Sequence, residues 1–391
     1  MPSDAKTTIH DRSGQAALLP GGLRDQLAPQ AEFEAGIVVG LMATFASFGY
    51  DRVAPPMMEF EETLLSGPAQ KNGQAMFRLM DPDTQRVMGL RADMTVQVAR
   101  IAETRLMDAV RPLRLSYAGN VVRVKGSQVR PTRQFVQAGV ELIGASSLDA
   151  EIEVICLAVE ALVTAGVTNL TLDLTVAPLV SMICETLGLT PAEAATARTA
   201  LDVKDMGALD AFSGHSKDIL TALLQAAGPA DDCMVKLQAL KLDGAAGALI
   251  DRLDRLVQSL NTHMPHLMVT VDPGESHGFE YKSGIGFAIF APGVRGELGR
   301  GGRYLARTPD GGSEAATGFS VYLDSILRAL PTPAMAEKLF LPHGTPPATG
   351  RALRKKGFRT VQGLTETGDS LQEARKQLCS HWLNIDTVEP V

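Results

Sequence analysis

The sequence predicts an α+β protein: a sheet packed with helices, a helical insertion, and a small C-terminal α/β appendage. Three observations carry this. Strand patterns cluster in two blocks, from Arg111 to Val176 and from Leu267 to about Leu330. Between them, about residues 191–262 are rich in Ala and Leu and hold no strand pattern of comparable strength. Beyond Pro331 and Pro333, short strand and helix patterns alternate again. The expected organisation is a flexible leader over residues 1–18, a main domain over 19–330 and a small domain over 331–391.

Taken in order, Met1 to Gln15 is polar and lacks the apolar core of a signal peptide. Leu19-Pro20-Gly21-Gly22-Leu23-Arg24-Asp25 is a turn-rich entry into a helix from about Pro29 to Phe48, which Gly49 stops. Its apolar stretch, Ala35 to Tyr50, is shorter than a bilayer span and is broken by Thr44 and Ser47. Ile37, Leu41, Phe45 and Phe48 recur at helical spacing, so it reads as a core helix of a soluble, cytoplasmic protein.

Leu113, Leu115 and Tyr117 then alternate with polar residues, and a loop over Gly126 to Thr132 leads into a second strand, Arg133 to Ile143. On that strand Arg133, Phe135, Gln137, Gly139 and Glu141 share one face. Gln134, Val136, Ala138, Val140 and Leu142 share the other, which can pack on a helix. Gln137 and Glu141 stand roughly 13 Å apart along the strand, enough to hold both ends of a small zwitterion. Ser147 and Asp149 open a helix that Gly166 closes, and Thr168 to Val176 is a strictly alternating strand. In the tail, Leu339–Leu341 and Arg359–Leu364 read as strands, and Thr349–Lys356 and Asp369–Leu378 as helices.

Composition excludes several classes. The net charge of −7 and pI near 5.6 argue against non-specific nucleic-acid binding as the main task. Cys156, Cys184, Cys233 and Cys379 form no CxxC pair and read as reduced, buried thiols. His263 and His266 have no third ligand nearby, so neither a metal nor a cofactor is expected.

Five motifs in order carry the chemistry. They are Leu90-Arg91-Ala92-Asp93-Met94-Thr95; Arg123 with Arg133 to Glu141; His277-Gly278-Phe279-Glu280-Tyr281; Gly301-Gly302-Arg303-Tyr304; and Gly318-Phe319-Ser320-Val321-Tyr322-Leu323-Asp324. Together, over roughly Leu19 to Leu330, they resemble the catalytic core of histidyl-tRNA synthetase. That resemblance implies a class II aminoacyl-tRNA synthetase-like antiparallel sheet flanked by helices. It also implies a histidine site made of Asp93, Thr95, Arg123, Gln137, Glu141, Tyr281 and Tyr304. Asp93, Thr95 and Gln137 would hold the α-ammonium, Glu141 would accept from the imidazole, and the two tyrosines would close the pocket. The residue types suit that task, since an ammonium wants oxygen acceptors and an imidazole N–H wants a fixed one.

The departures bear on catalysis. His277 stands where the family has an arginine that steadies carboxylate and phosphate, and Ser325 where it has one along ATP. The Arg-x-Glu pair becomes Arg123-Val124-Lys125, and the second tyrosine of the third motif becomes Lys282. Two lost charge-assisted contacts remove about 3–6 kcal/mol, about 10² to 10⁴-fold in rate. The tail is also short for an anticodon-binding domain.

A core that keeps amino-acid contacts but loses nucleotide contacts resembles the regulatory subunits of short-form ATP phosphoribosyltransferase. That resemblance implies a non-catalytic chain, self-associating as a dimer within a hetero-octamer with a short catalytic subunit. Histidine would be its allosteric ligand, and neither membrane nor nucleic acid a partner. The competing readings are an active histidine–tRNA ligase and another amino-acid-binding synthetase paralogue.

Overall fold

The computed structural model describes residues 19–65, 76–127, 129–275 and 282–391. It divides into two compact units: residues 19–25 with Glu34–Pro331, and Gln26–Phe33 with Thr332–Val391.

In chain order the first unit opens on α1 (Gln30–Ser47), whose first residues belong to the second unit, and β1 (Asp51–Arg52). A small three-stranded sheet follows, from β2 (Met58–Phe60), β3 (Arg78–Met80) and β4 (Val87–Leu90), with α2 (Glu61–Leu64) between the first two. Next come α3 (Thr95–Thr104), β5 (Leu113–Val122), β6 (Gln134–Ile143), α4 (Leu148–Thr164), β7 (Thr171–Thr175) and α5 (Ala177–Thr186). The helical insertion holds α6 (Pro191–Asp202), a 3₁₀ turn at Gly207–Ala211, α7 (Gly214–Ala226), β8 (Gly228–Pro229), α8 (Ala230–Ala239) and α9 (Gly244–His263). Then β9 (Met268–Asp272), β10 (Lys282–Phe290), β11 (Gly299–Arg307), β12 (Ser313–Tyr322) and α10 (Leu323–Ala329) complete the unit.

The main sheet has nine strands in the order β1-β5-β6-β12-β11-β10-β7-β9-β8. Its centre, β5 through β7, is antiparallel throughout, as expected. Two pairs depart from that pattern: β1 with β5 and β7 with β9 run parallel. The insertion, expected to be helical only, contributes β8 to the sheet edge beside β9.

The predicted two faces of β6 separate two cores. Ala138, Val140 and Leu142 pack with Leu41 and Phe45 of α1 and Val154, Leu157 and Ala158 of α4. Phe45 meets Phe319 edge-on at 5.6 Å. Phe135 and Ile143 join the opposite core with Tyr117, Tyr304 and Tyr322, which Met94 and Val98 of the α3 segment cover. Helix α4 begins where its sequence says, with Ser147 Oγ accepting from the Ala150 N–H at 3.4 Å. Gly166, at φ +97°, ends it in the left-handed region that a side chain resists.

The second unit carries β13 (Leu339–Leu341), α11 (Pro347–Lys355), β14 (Thr360–Gln362), α12 (Ser370–Lys376), β15 (His381–Asn384) and β16 (Thr387–Pro390). Its sheet runs β14-β13-β15-β16, parallel except for the last pair. The four predicted elements are present; the closing β15–β16 hairpin is an addition. No helix among the described residues is long and apolar enough to cross a membrane.

Candidate functional site

The site grows from three neighbouring strands on the face that α3 covers. Register places Tyr117 of β5 and Ser320 of β12 on either side of Gly139 of β6. With no side chain at Gly139, the Tyr117 ring lies across β6, and its hydroxyl meets Ser320 Oγ at 2.9 Å. A Cβ on Gly139 would come within 2.6 Å of that hydroxyl. One step along, Glu141 pairs with Gly318, where a Cβ would collide with Glu141 Oε2. Two glycines thus form the floor on which the polar side chains lie.

The loop before α3 supplies the opposite wall. Arg91 is 7% exposed and anchors this loop, donating to the carbonyls of Asn120 at 2.7 Å and Pro55 at 2.9 Å. Gly119 leaves room for its guanidinium. Asp93 Oδ1 then accepts the Thr95 N–H at 2.7 Å, satisfying one of the unpaired donors at the start of α3. Its negative charge is favoured at that helix end.

Hydrogen-bond capacities orient the whole network. Gln137, 1% exposed, accepts the Met94 N–H on Oε1 at 3.0 Å, so its Nε2 must donate. That nitrogen reaches Asp93 Oδ2 at 3.1 Å and Ser320 Oγ at 2.7 Å. Ser320, having accepted, gives its proton to Tyr117, and Thr95 Oγ1 lies 3.2 Å from the same oxygen. Tyr117 donates to Glu141 Oε1 at 3.2 Å, and Tyr304 to Glu141 Oε2 at 2.8 Å. Burial, with the charges of Glu141 and Asp93 behind it, pushes the Tyr117 phenol well above its ordinary value, so its proton stays available for donation. The result is a chain whose donors point outward from the Gln137 amide, ending on a half-exposed carboxylate, Asp93, on one side and on a buried one, Glu141, on the other.

Five of the seven predicted residues, Asp93, Thr95, Gln137, Glu141 and Tyr304, therefore meet in one network. Arg123 lies apart from it, its guanidinium 5.0 Å from the Phe135 ring centre and 5.9 Å from that of Tyr322. Tyr281, like His277, lies outside the described residues. Tyr117 and Ser320 were not among the predicted contacts, yet they connect the two ends.

Arg123 lines an adjoining cleft of about 340 Å³ with Arg130, Arg300, Glu297, Glu275 and Asp173. Two of its cations, Arg130 and Arg300, are held by the protein's own carboxylates. Arg130 sits 3.9 Å over the Tyr322 ring, 3.9 Å from Glu297 and 3.8 Å from Asp324. Arg300 pairs with Glu297 at 2.8 Å. Burial raises the carboxyls of Asp173 and Glu275, with the Asp272 charge adding to each. Ser325 is fully buried and accepts from Arg328 at 2.9 Å, while Lys125 is exposed. Among the described residues no group of three or more His, Cys, Asp or Glu is placed to hold a metal ion.

The large, mainly antiparallel sheet flanked by helices is a class II synthetase-like fold, and the histidyl-tRNA synthetase family model matches residues 22–326. A solved structure described as an ATP phosphoribosyltransferase regulatory subunit/histidyl-tRNA synthetase from Bacillus halodurans C superposes with a TM-score of 0.79 at 25% identity. It covers 92% of this chain and 96% of that one. The ATP phosphoribosyltransferase regulatory subunit of Rhodospirillum centenum is 50% identical over 369 residues, 94% of this chain and 95% of that protein. That of Paramagnetospirillum magneticum is 49% identical over 379 residues, 97% and 99% of the two. The chain belongs to the family of ATP phosphoribosyltransferase regulatory subunits.

Proposed function

We propose that this chain is the non-catalytic subunit of a short-form ATP phosphoribosyltransferase and that free histidine, bound on the Asp93–Glu141 network, is its inhibitory signal. The supporting observation is the hydrogen-bond chain itself, which ends on an acceptor carboxylate at both sides. A zwitterion with a cationic head and an imidazole N–H needs acceptors at both ends, and the chain presents a carboxylate at each. Asp93 would take the ammonium, with Thr95 beside it and Gln137 fixing the carboxylate's orientation. Glu141 would take the imidazole N–H, its oxygens steered by Tyr117 and Tyr304. Arg123, which lines the adjoining cleft, would meet the ligand carboxylate, and Tyr281 would close the pocket.

Phosphoribosyl transfer belongs to the partner in this reading. Ser325 and Lys125 stand where an adenylate-forming enzyme has an arginine and a glutamate, so the chain holds the amino acid without activating it. The assembly would be cytoplasmic, a dimer of this chain within a hetero-octamer. Inhibition requires histidine to favour one quaternary arrangement over another, because equal affinity for both shifts nothing.

Reconstitution tests this. Mixing the chain with a short catalytic subunit should raise phosphoribosyl transfer from PRPP to ATP, and histidine should suppress the increase. Transfer unaffected by this chain, or insensitive to histidine, would remove the regulatory reading.

A further inference from the structure

On the far side of the sheet from the pocket lies a second buried polar group that the histidine network does not use. Glu151, in the first turn of α4, is 2% exposed. Its Oε2 accepts from Arg252 Nε of α9 at 2.8 Å, and Arg303 Nη1 of β11 stands 3.7 Å from its Oε1. Both guanidiniums also converge on one carbonyl, Ser146 O, at 3.1 Å from Arg252 and 2.9 Å from Arg303. Ser146 lies just beyond β6 and immediately before the helix cap Ser147. One carboxylate thus ties together the insertion, α4, the end of β6 and β11.

Arg303 is the direct neighbour of Tyr304. Successive residues of a strand project to opposite faces, so a force on Arg303 on one side of the sheet displaces Tyr304 on the other. The Arg303 stem is closely seated, since a Cβ on Gly284 of the adjacent strand would come within 2.9 Å of it. Apolar packing already holds α9 in place through Leu253, Leu256 and Leu260. A buried ion group added to such packing contributes little net stability and serves better to select one register. Glu151 Oε2 is held at hydrogen-bond distance by Arg252, whereas Oε1 faces Arg303 at the longer 3.7 Å, so the link to β11 is the looser of the two.

We propose that Glu151 is a positioning residue for Tyr304 and the joint through which the helical insertion and the amino-acid pocket act on one another. This rests on the histidine reading above. A movement of α9, such as contact with a partner subunit would produce, draws on Arg252, is passed by Glu151 and Ser146 O to Arg303, and tilts the Tyr304 hydroxyl against Glu141. Coupling is reciprocal, so histidine drawing Tyr304 and Glu141 together biases the position of the insertion in turn.

The test is a double-mutant cycle on histidine affinity, measured by calorimetry on the full chain. Glu151→Gln keeps the size of the side chain and one acceptor oxygen but removes the charge, and should weaken histidine about tenfold. In a Tyr304→Phe background the same substitution should cost almost nothing further. In an Arg123→Met background, apart from the network, it should cost its full tenfold. Arg252→Met should reproduce the pattern from the insertion side. In the reconstituted complex, stimulation without histidine should stay within about twofold while the inhibitory concentration of histidine rises. Unchanged histidine affinity in Glu151→Gln, or full additivity with Tyr304→Phe, overturns the positioning role while leaving the pocket intact. A wild-type chain without histidine affinity instead overturns the pocket reading, and this inference with it.

Discussion

Tyr117→Phe isolates the centre of the network. The substitution removes one oxygen and keeps the ring, so it opens no cavity in the fully buried site. What it removes is the donor to Glu141 Oε1 and the acceptor shared by Ser320 Oγ and Thr95 Oγ1. A hydrogen bond to a charged group is worth about 1.5–3 kcal/mol, and a buried hydroxyl left without an acceptor adds to the loss. Thr95 is only part-buried and can turn toward solvent, so most of the added penalty falls on Ser320. The stability cost should be about 3 kcal/mol, read as a lower urea midpoint at unchanged slope. Histidine affinity should fall about tenfold, close to 1.4 kcal/mol, because Glu141 keeps one oriented oxygen through Tyr304 and loses the other. A variant with a wild-type midpoint and histidine affinity within twofold would show that the hydroxyl is a bystander and that the network does not act as a unit.

Three further outcomes follow from the geometry. Gly318→Ala drives a Cβ into Glu141 Oε2 and should cost about 2 kcal/mol by thermal unfolding, with histidine binding weakened at least tenfold; wild-type behaviour would mean Glu141 can lie elsewhere. Glu153 accepts two N–H bonds from Arg114 and the Tyr50 hydroxyl, and the Arg114 hydrogen bond chiefly holds its carboxyl below the ordinary 4.5. A depressed folded-state value stabilises above the unfolded value and is lost as pH falls through the folded one, so Glu153→Gln should cost about 1 kcal/mol at neutral pH and progressively less below pH 4.5; a gap constant from neutral pH to below that value would refute it. Histidine-dependent ATP–pyrophosphate exchange by the purified chain should lie about 10² to 10⁴-fold below that of a histidine–tRNA ligase, and exchange at a ligase's rate would restore the catalytic reading.

The polar face of β6 was legible because strand alternation is local: Gln137 and Glu141 announce themselves four residues apart on one side. Tyr117 was not, because on its own strand it reads as one more apolar position beside Leu113 and Leu115. Only the pairing of Tyr117 and Ser320 across Gly139 reveals its role, and register between distant strands is not written in either strand alone. Gly139 was the available clue, a residue with no side chain between Gln137 and Glu141 on their shared face, which marks close approach by something else. The β15–β16 hairpin is unmarked in the sequence for a different reason. Its turn places Ile385 at φ +56°, where glycine or asparagine would have signalled the reversal. The strand Gly228–Pro229 is hidden because that dipeptide ordinarily punctuates a loop.

Arginines persist beside the pocket, and their persistence does not imply that the nucleotide chemistry persists. A triphosphate entering the cleft would have to draw Arg130 away from Asp324 and Glu297, and Arg300 from Glu297. The Asp324 side chain is 4% exposed, and neither of its oxygens has a hydrogen-bond partner among the described residues, so its nearby cations are what steady it. Stripping a cation from a buried carboxylate costs about 3–5 kcal/mol, which offsets much of what a new phosphate contact would return. A small zwitterion on the Asp93–Glu141 chain disturbs none of those pairs. On the proposed reading the two sites are therefore separable: holding Arg130 and Arg300 on internal carboxylates disfavours a nucleotide, while the glycine floor and tyrosine donors keep the adjoining network in order.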